Sequence, residues 1–142
     1  MPGSDSAWLL PFSDTRRMTQ MADEIGAACY LSVVNSGAVF ERREPKTNFD
    51  QTNKNGTYGI QTIGTSAGNV LVTADVVTDG WAYFKNLDDT ASIELGSTPD
   101  ATFRPFGKLL AGEFCIIPLA DITVQAKASA ASTNLEYAIF DR

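Results

Sequence analysis

The chain has 142 residues, of which 44% are hydrophobic and 20% charged, a composition typical of a single globular domain and not of a disordered chain. Its net charge of −6 argues against a nucleic-acid-binding surface, and no apolar run approaches the roughly 18 residues that a membrane-spanning helix needs. The sequence contains no histidine, which removes the commonest general base at neutral pH and the commonest transition-metal ligand.

The first predicted element is an N-terminal arm, residues 1–26, which contains an apolar cluster and one short helix. The cluster lies at residues 8–12 and has no regular periodicity. Residues 14–25 are predicted to be helical, because Asp14 is a suitable N-cap and apolar side chains recur with helical spacing before Gly26, a natural helix stop. The apolar stripe of this helix consists of Met18, Met21, Ala22 and Ile25.

The arm is also the predicted contact with a partner. An exposed apolar cluster is a liability on a monomer, and Trp and Met are enriched at protein interfaces. Two alternatives account for the same residues: the cluster and the helix fold back on their own domain, or they dock on another subunit. The candidate interface residues are Trp8, Leu9, Leu10, Phe12, Met18, Met21 and Ile25.

Residues 27–142 are predicted to form a β-sandwich domain. Short apolar or alternating segments recur about every 8–12 residues with turns between them, and no helix is predicted between strands, which excludes a parallel α/β sheet. The predicted fold class is therefore all-β: an antiparallel β-sandwich or jelly roll with one short N-terminal helix. The predicted strands are residues 29–34, 38–43, 58–65, 69–73, 81–87, 91–95, 102–110, 114–117, 122–129 and 135–140.

Several details of this pattern predict how the strands are arranged. Residues 80–96 are predicted to form a β-hairpin at the centre of a sheet, because an aromatic strand and an alternating strand flank a polar turn. Residues 114–117 are apolar on both faces, which predicts a central strand. Pro105 indicates an edge strand or a bulge, and Pro45 is expected to end the second strand before a polar loop over residues 46–56.

The two cysteines, Cys29 and Cys115, lie far apart in the sequence, each inside an apolar run. Unpaired cysteine behaves as a small hydrophobic residue, and the N-terminus lacks the basic-then-apolar layout of a secretory signal. We therefore predict that both thiols are free and buried.

No residue pattern in the sequence is typical of catalysis or of cofactor or metal binding. Asp88 and Asp89 are interpreted as turn formers, and the glycine-rich turn at residues 64–68 lacks the Lys and the following helix of a phosphate-binding loop. We predict no catalytic residues, no cofactor and no metal site. Trp81 and Tyr83 share one strand face, which is predicted to pack in the core or across strands; the alternative is an exposed platform for sugar stacking.

Several short motifs, taken in their order, resemble those of small virion proteins of tailed bacteriophages. An aromatic strand ends in Lys-Asn-Leu-Asp at residues 85–88, a second strand ends in Glu-Leu-Gly at residues 94–96, and a turn at residues 109–113 has the sequence Leu-Leu-Ala-Gly-Glu. Further matching segments are residues 48–52, 61–65 and 135–137. The resemblance as a whole covers roughly residues 38–140.

The resemblance implies a non-enzymatic structural protein of the phage particle, located in the virion after assembly in the host bacterial cytoplasm. The first interpretation is a capsid decoration or cement protein that stabilises the shell through subunit contacts. Its partners would be the major capsid protein or other virion proteins, and a homo-oligomer, for which a trimer is suggested, suits a small domain on a symmetric shell. The alternatives are a head–tail junction, tail or fibre component and, from another class, a carbohydrate-binding module.

Overall fold

The computed structural model describes residues 25–35, 38–49, 51, 55–73, 76–77, 80–119 and 123–141. Within these residues it contains ten β-strands and no helix. In chain order the strands are β1 (Ile25–Asn35), β2 (Ala38–Phe49), β3 (Gly56–Ile63), β4 (Asn69–Val70), β5 (Trp81–Asn86), β6 (Ile93–Ser97), β7 (Arg104–Leu109), β8 (Phe114–Pro118), β9 (Gln125–Ala128) and β10 (Thr133–Phe140).

Eight of the strands form a sandwich of two four-stranded sheets. The first sheet has the strand order β3-β10-β5-β8, and the second sheet has the order β4-β9-β6-β7. Every hydrogen-bonded pair in the two sheets is antiparallel, and the chain crosses between the sheets at every connection except the one from β6 to β7. This is a jelly-roll arrangement. The predicted all-β class and the antiparallel sandwich are therefore confirmed.

The hydrophobic core lies between the two sheets, because alternate residues of each strand point inward. In β10 the inward side chains of Leu135, Tyr137 and Ile139 are buried, as are Phe84 of β5 and Ile93 of β6. Burying a large apolar side chain contributes about 1.5–3 kcal/mol relative to leaving it exposed. The period-2 pattern in the sequence is thus the direct cause of the sandwich.

A buried asparagine holds two turns together at one end of the sandwich. Asn86, the last residue of β5, donates from Nδ2 to the carbonyl oxygens of Ala91, Leu109 and Leu110 at 2.7, 3.3 and 3.1 Å. Its Oδ1 accepts from the backbone N–H of Asp88 at 3.0 Å. Every polar atom of this fully buried side chain is therefore satisfied, which is the condition for burying an amide without a large cost.

The hairpin predicted for residues 80–96 is wrong in its pairing. β5 and β6 are strands, as predicted, but β5 pairs with β10 and β8 in the first sheet, whereas β6 pairs with β7 and β9 in the second. The turn at residues 87–92 crosses from one sheet to the other. Because both strands have a buried face, they pack against each other through the core and are not joined by backbone hydrogen bonds.

The prediction that residues 114–117 form a central strand is also wrong. β8 is an edge strand of the first sheet and pairs with β5 alone. Phe114 and Ile116 point outward and are exposed, while Cys115 and Ile117 pack on the core. The prediction of an edge or bulge at Pro105 is confirmed, since β7 is an edge strand of the second sheet and its register with β6 shifts at this point.

The first two strands form a separate two-stranded sheet, so the sandwich strands all come from residues 56–140. β1 and β2 pair from Ile25↔Phe49 to Asn35↔Ala38, with one register shift between Ala27 and Cys29. Two predictions about this region are corrected. β2 continues through Pro45 to Phe49, because the register shift accommodates the missing N–H of proline. The loop predicted for residues 46–56 is correspondingly shorter.

The predicted N-terminal helix cannot extend to residue 25. Ile25 and Gly26 belong to β1, where they pair with Phe49 and Asn48. The pairing of these residues with β2 overrides the helical spacing of the apolar residues, because local helix propensity is a weak determinant of structure. The remainder of the arm, residues 1–24, lies outside the described residues, and so do the predicted interface residues Trp8, Leu9, Leu10, Phe12, Met18 and Met21.

The prediction that both cysteines are free is confirmed, but the prediction that both are buried is not. Cys29 lies on β1 and is exposed, and Cys115 on β8 is half-buried. The apolar run around Cys29 belongs to the hairpin and not to the core, which is why apolar neighbours did not imply burial. Burial raises the pKa of the Cys115 thiol.

In the part of the chain that the structure describes, no helix has the length and hydropathy required to cross a membrane.

Candidate protein-docking surface

The outer face of the first sheet is apolar and aromatic. The strand register aligns Tyr58, Ala138, Tyr83 and Ile116 in one row across all four strands. Tyr58 has 70% of its surface exposed, and Phe114 in the neighbouring row has 63%. We call this surface the aromatic face; its residues are Tyr58, Ile60, Trp81, Tyr83, Phe114, Ile116, Pro118, Ala138 and Phe140.

The outer face of the second sheet has the opposite character. Glu94 of β6 lies in register between Lys108 of β7 and Lys127 of β9, so a row of alternating charge crosses the sheet. Ser92 and Ser129 lie close to this row and share a hydrogen bond from the Ser92 N–H to the Ser129 hydroxyl at 2.9 Å. A sandwich normally keeps its outer faces polar. The second sheet follows that rule, and the first sheet departs from it.

Two charged residues stand on the aromatic face, and they are directly opposite each other. Glu136 of β10 is in register with Lys85 of β5, and opposite charges in this position stabilise a sheet. The Tyr58 hydroxyl donates to Glu136 Oε1 at 3.2 Å, and this hydrogen bond raises the pKa of Tyr58. Burial, and then the charge of Glu136, raises the pKa of Tyr83. The face therefore presents neutral tyrosines around one balanced pair of charges.

The β1–β2 hairpin is the second apolar surface. Residues directly opposite in an antiparallel pair share a face, so the register divides the exposed apolar side chains into two sets. Near the turn, Val34 and Val39 oppose each other and are 77% and 73% exposed. One face of the hairpin carries Leu31, Val33 and Phe40, and the other carries Tyr30, Val34 and Val39.

The hairpin meets the aromatic face at its base. The ring of Phe49, at the end of β2, packs against the ring of Trp81 with centroids 4.7 Å apart. Next to this contact lies a groove of about 550 Å³, between the lower part of the hairpin and β8. Its walls include Leu31, Phe114 and Ile116, so the groove is apolar on both sides.

The predicted site residues are not brought together by the described part of the structure. Of the seven candidate interface residues, Ile25 alone is described, and it is half-buried at the base of the hairpin. Trp81 and Tyr83 share one strand face, as predicted, but this face points outward and not into the core, and the ring of Phe49 packs on Trp81. Among the described residues, no group of three or more acidic or cysteine side chains could hold a metal ion.

Sequence reasoning missed most of the aromatic face and all of the hairpin surface. A signal was nevertheless present: β8 is apolar from Phe114 to Ile117, and residues 29–34 of β1 are apolar except at Ser32, so neither run alternates. Such a run predicts a strand covered on both sides. In the part of the chain that the structure describes, both runs instead lie in strands with an exposed apolar surface.

No family model matches the sequence, and no curated protein or solved structure matches it.

Proposed function

We propose that this protein is a non-enzymatic structural protein of a bacteriophage particle, where it serves as a capsid decoration or cement protein and binds the major capsid protein. The observation that supports the proposal is the pairing of the aromatic face with the exposed apolar hairpin. Monomeric proteins rarely expose contiguous apolar patches of this kind, and such patches mark sites of protein contact.

The residue types on these surfaces favour protein contact. Tyr, Trp and Phe are enriched at interfaces, and Trp and Tyr are frequent energetic anchors. Buried apolar area contributes roughly 25 cal/mol per Å² before the cost of association is subtracted. A protein that bridges neighbouring shell subunits adds its binding free energy to shell stability at each occupied site.

One of the motifs that resemble phage virion proteins, the aromatic strand, contributes residues to the aromatic face. A jelly roll supports many functions, so the fold by itself does not select one. The aromatic strand of the resemblance is β5, and its outward residues Trp81 and Tyr83 lie in the middle of the aromatic face. The resemblance and the surface thus direct the proposal to the same strand.

A carbohydrate-binding module is the alternative that the tyrosines support. Tyr58 and Tyr83 flank the small side chain of Ala138, which leaves a flat strip suited to stacking against a sugar ring. The ring of Phe49 covers part of Trp81, so Trp81 does not extend this strip as an open platform. Protein contact uses the whole face, whereas sugar stacking uses two of its residues.

The test is to add the purified full-length protein to shells of the major capsid protein from the phage that encodes it, assembled without this protein. We expect saturable binding at a fixed ratio to shell subunits and a higher temperature of shell disruption. Shells whose sites are already occupied serve as the control and should bind no more. Failure to bind empty shells, or saturable quenching of Trp fluorescence by soluble oligosaccharides, would contradict the proposal; binding at the neck or tail would favour the junction alternative.

A further inference from the structure

We infer that the β1–β2 hairpin of one copy of this chain packs on the aromatic face of a second copy. The occupant of the aromatic face is thus the hairpin of a neighbouring molecule, and the chain assembles with itself through a heterologous contact. This inference deepens the proposed function and rests on it only for the setting, a multi-subunit particle. The aromatic face and the hairpin then make the contacts between copies of the chain, and the contact with the shell falls to the predicted interface residues of the N-terminal arm. The contact between copies belongs to the isolated protein in solution.

Among the residues that the structure describes, none covers the hairpin beyond its base. A two-stranded hairpin by itself is at best marginally stable in water, because its side chains bury little surface. In this hairpin every residue from Ala28 to Val34 in β1, and every residue from Val39 to Asn48 in β2, is exposed. A hairpin of this length with apolar side chains on both faces needs a surface to pack on.

The hairpin and the aromatic face of one chain lie on either side of a groove and leave each other largely exposed. The contact of Phe49 with Trp81 places the base of the hairpin against its own sandwich. The apolar residues farther along the hairpin, such as Val34 and Phe40, remain exposed, as do Tyr58 and Ile60 on the far side of the sheet. The exposed apolar surfaces of one copy can therefore pack against those of a second copy.

The exposed part of the hairpin and the aromatic face have matching dimensions. At about 3.3 Å per residue, the exposed half of the hairpin from Cys29 to Asn35 is roughly 20 Å long, and four strands spaced about 4.8 Å apart make a face of similar width. A hairpin laid across this face would bury on the order of 1,000 Å² in total, which reaches the lower bound for a specific interface. In a closed ring every copy makes this contact twice, once with its hairpin and once with its face.

The charged side chains of the hairpin are compatible with docking on an apolar surface. The hairpin face that carries Leu31, Val33 and Phe40 also carries Arg42 and Glu44, whose side chains form an ion pair with each other. On the opposite hairpin face the Arg43 guanidinium lies 5.0 Å from the centre of the Tyr30 ring. On the face that carries Leu31, Val33 and Phe40 the two charges are thus paired with each other, so this face can approach an apolar surface without leaving an unpaired charge.

Three exposed phenylalanines provide a matched set of substitutions for the full-length protein. Phe40→Glu places a charge on the hairpin, and Phe114→Glu places one on the aromatic face, where Lys85 in register opposite tolerates it. Phe106→Glu is the control, because Phe106 is exposed on β7 of the second sheet. The readout is molar mass by size-exclusion chromatography with light scattering, at one fixed concentration.

We expect the wild type and Phe106→Glu to have the mass of a multimer, and Phe40→Glu and Phe114→Glu to have the mass of one chain. An equimolar mixture of the two monomeric variants should form a one-to-one dimer. In that mixture the intact hairpin of Phe114→Glu docks on the intact face of Phe40→Glu, and the two altered surfaces prevent further growth. This complementation is specific to a hairpin-on-face contact.

Several results would overturn the inference. Hairpin-to-hairpin contact would leave Phe114→Glu multimeric, and face-to-face contact would leave Phe40→Glu multimeric. Two monomeric variants whose mixture stays monomeric would also contradict a hairpin-on-face contact. A monomeric wild type would mean that something other than a second copy covers these surfaces, and residues 1–24 of the same chain are the candidate. If both single variants remain multimers, the hairpin-on-face contact is excluded. Phe40→Ser and Phe114→Ser repeat the test if a charged variant does not fold. If the wild-type protein is a multimer but does not bind empty shells, the proposed function is rejected and this inference stands. If it is a monomer that binds empty shells, this inference is rejected and the proposed function stands.

Discussion

Phe49 at the end of β2 and Trp81 at the start of β5 stack with ring centroids 4.7 Å apart and an interplanar angle of 38°. This contact ties the hairpin to the sandwich. It thereby sets the direction in which the hairpin leaves the sandwich.

Replacing Phe49 with Ala should loosen the hairpin without unfolding the sandwich. An aromatic pair contributes about 0.5–1.5 kcal/mol beyond area burial, and β1 and β2 have few other contacts with the core. Hydrogen exchange should therefore accelerate at the amides of β1 and β2 and stay unchanged in β5 and β10. Phe106→Ala, on the second sheet, is the control. Faster exchange throughout the protein would show that Phe49 belongs to the global core.

Replacing Asn86 with Ala should destabilise the protein strongly. The substitution leaves the carbonyl oxygens of Ala91 and Leu109 without the amide that they share, and unsatisfied buried groups cost roughly 1–3 kcal/mol each. We expect a loss of about 2–4 kcal/mol in urea unfolding. Asn134→Ala removes an exposed amide from β10 and should cost much less; equal losses for the two variants would contradict this account.

The contribution of Asp88 to stability should depend on pH. Hydrogen bonds from the backbone N–H groups of Ala91 and Thr90 lower the pKa of Asp88 from its usual value of 3.8. A lowered pKa in the folded state means that this stabilisation is complete above the usual pKa and is lost as the pH falls through the folded-state value. Asp88→Ala should therefore lower the melting temperature at pH 7 and lose its effect at the acidic end. Asp88→Asn, which keeps an oxygen that can accept these hydrogen bonds but does not titrate, is the control and should remove the pH dependence.

The two thiols should differ in reactivity in the native protein. Cys29 is exposed on the hairpin, whereas burial of Cys115 raises its pKa and lowers its thiolate fraction. In dilute protein, one equivalent of a thiol reagent should react rapidly and the second only slowly or after denaturation. Cys29→Ser should abolish the rapid phase, and Cys115→Ser should leave it unchanged. A rapid phase that persists in Cys29→Ser would contradict the exposure described for this strand.

Removal of residues 1–24 should leave a folded protein that no longer joins the particle. The buried apolar residues of the described core all come from β3 onward, so we expect the sandwich to fold without the arm. The arm contributes Trp8 and Phe12, residue types that anchor interfaces. Binding of the truncated chain to empty shells, followed by sedimentation, should fall well below that of the full chain. Full occupancy by the truncated chain would mean that the arm is not the anchor.

The local pattern predicted most of the strands. Leu135, Tyr137 and Ile139 alternate with more polar neighbours, and each is buried as period 2 requires. Pro105 marked an edge strand, since proline cannot donate to a sheet ladder. The candidate surface was only partly foreseeable: Trp81 and Tyr83 were placed together by their spacing, whereas Tyr58 and Phe114 come from distant segments and meet them only in the folded sheet.

The sequence by itself determined the all-β class, the approximate positions of the strands and, where apolar and polar residues alternate as in β10, the inward side of the strand, because these depend on alternation between neighbouring residues. The tertiary structure decided which strands pair and which faces are uncovered. Residues 81–86 and 93–97 carry the same signals as two strands of a hairpin, yet Asn86 and the turn after it lead them into different sheets. Residues 114–118 carry the signal of a central strand, yet they lie at an edge. Pairing depends on contacts between residues far apart in the chain, and no local pattern records which of them are left for a partner.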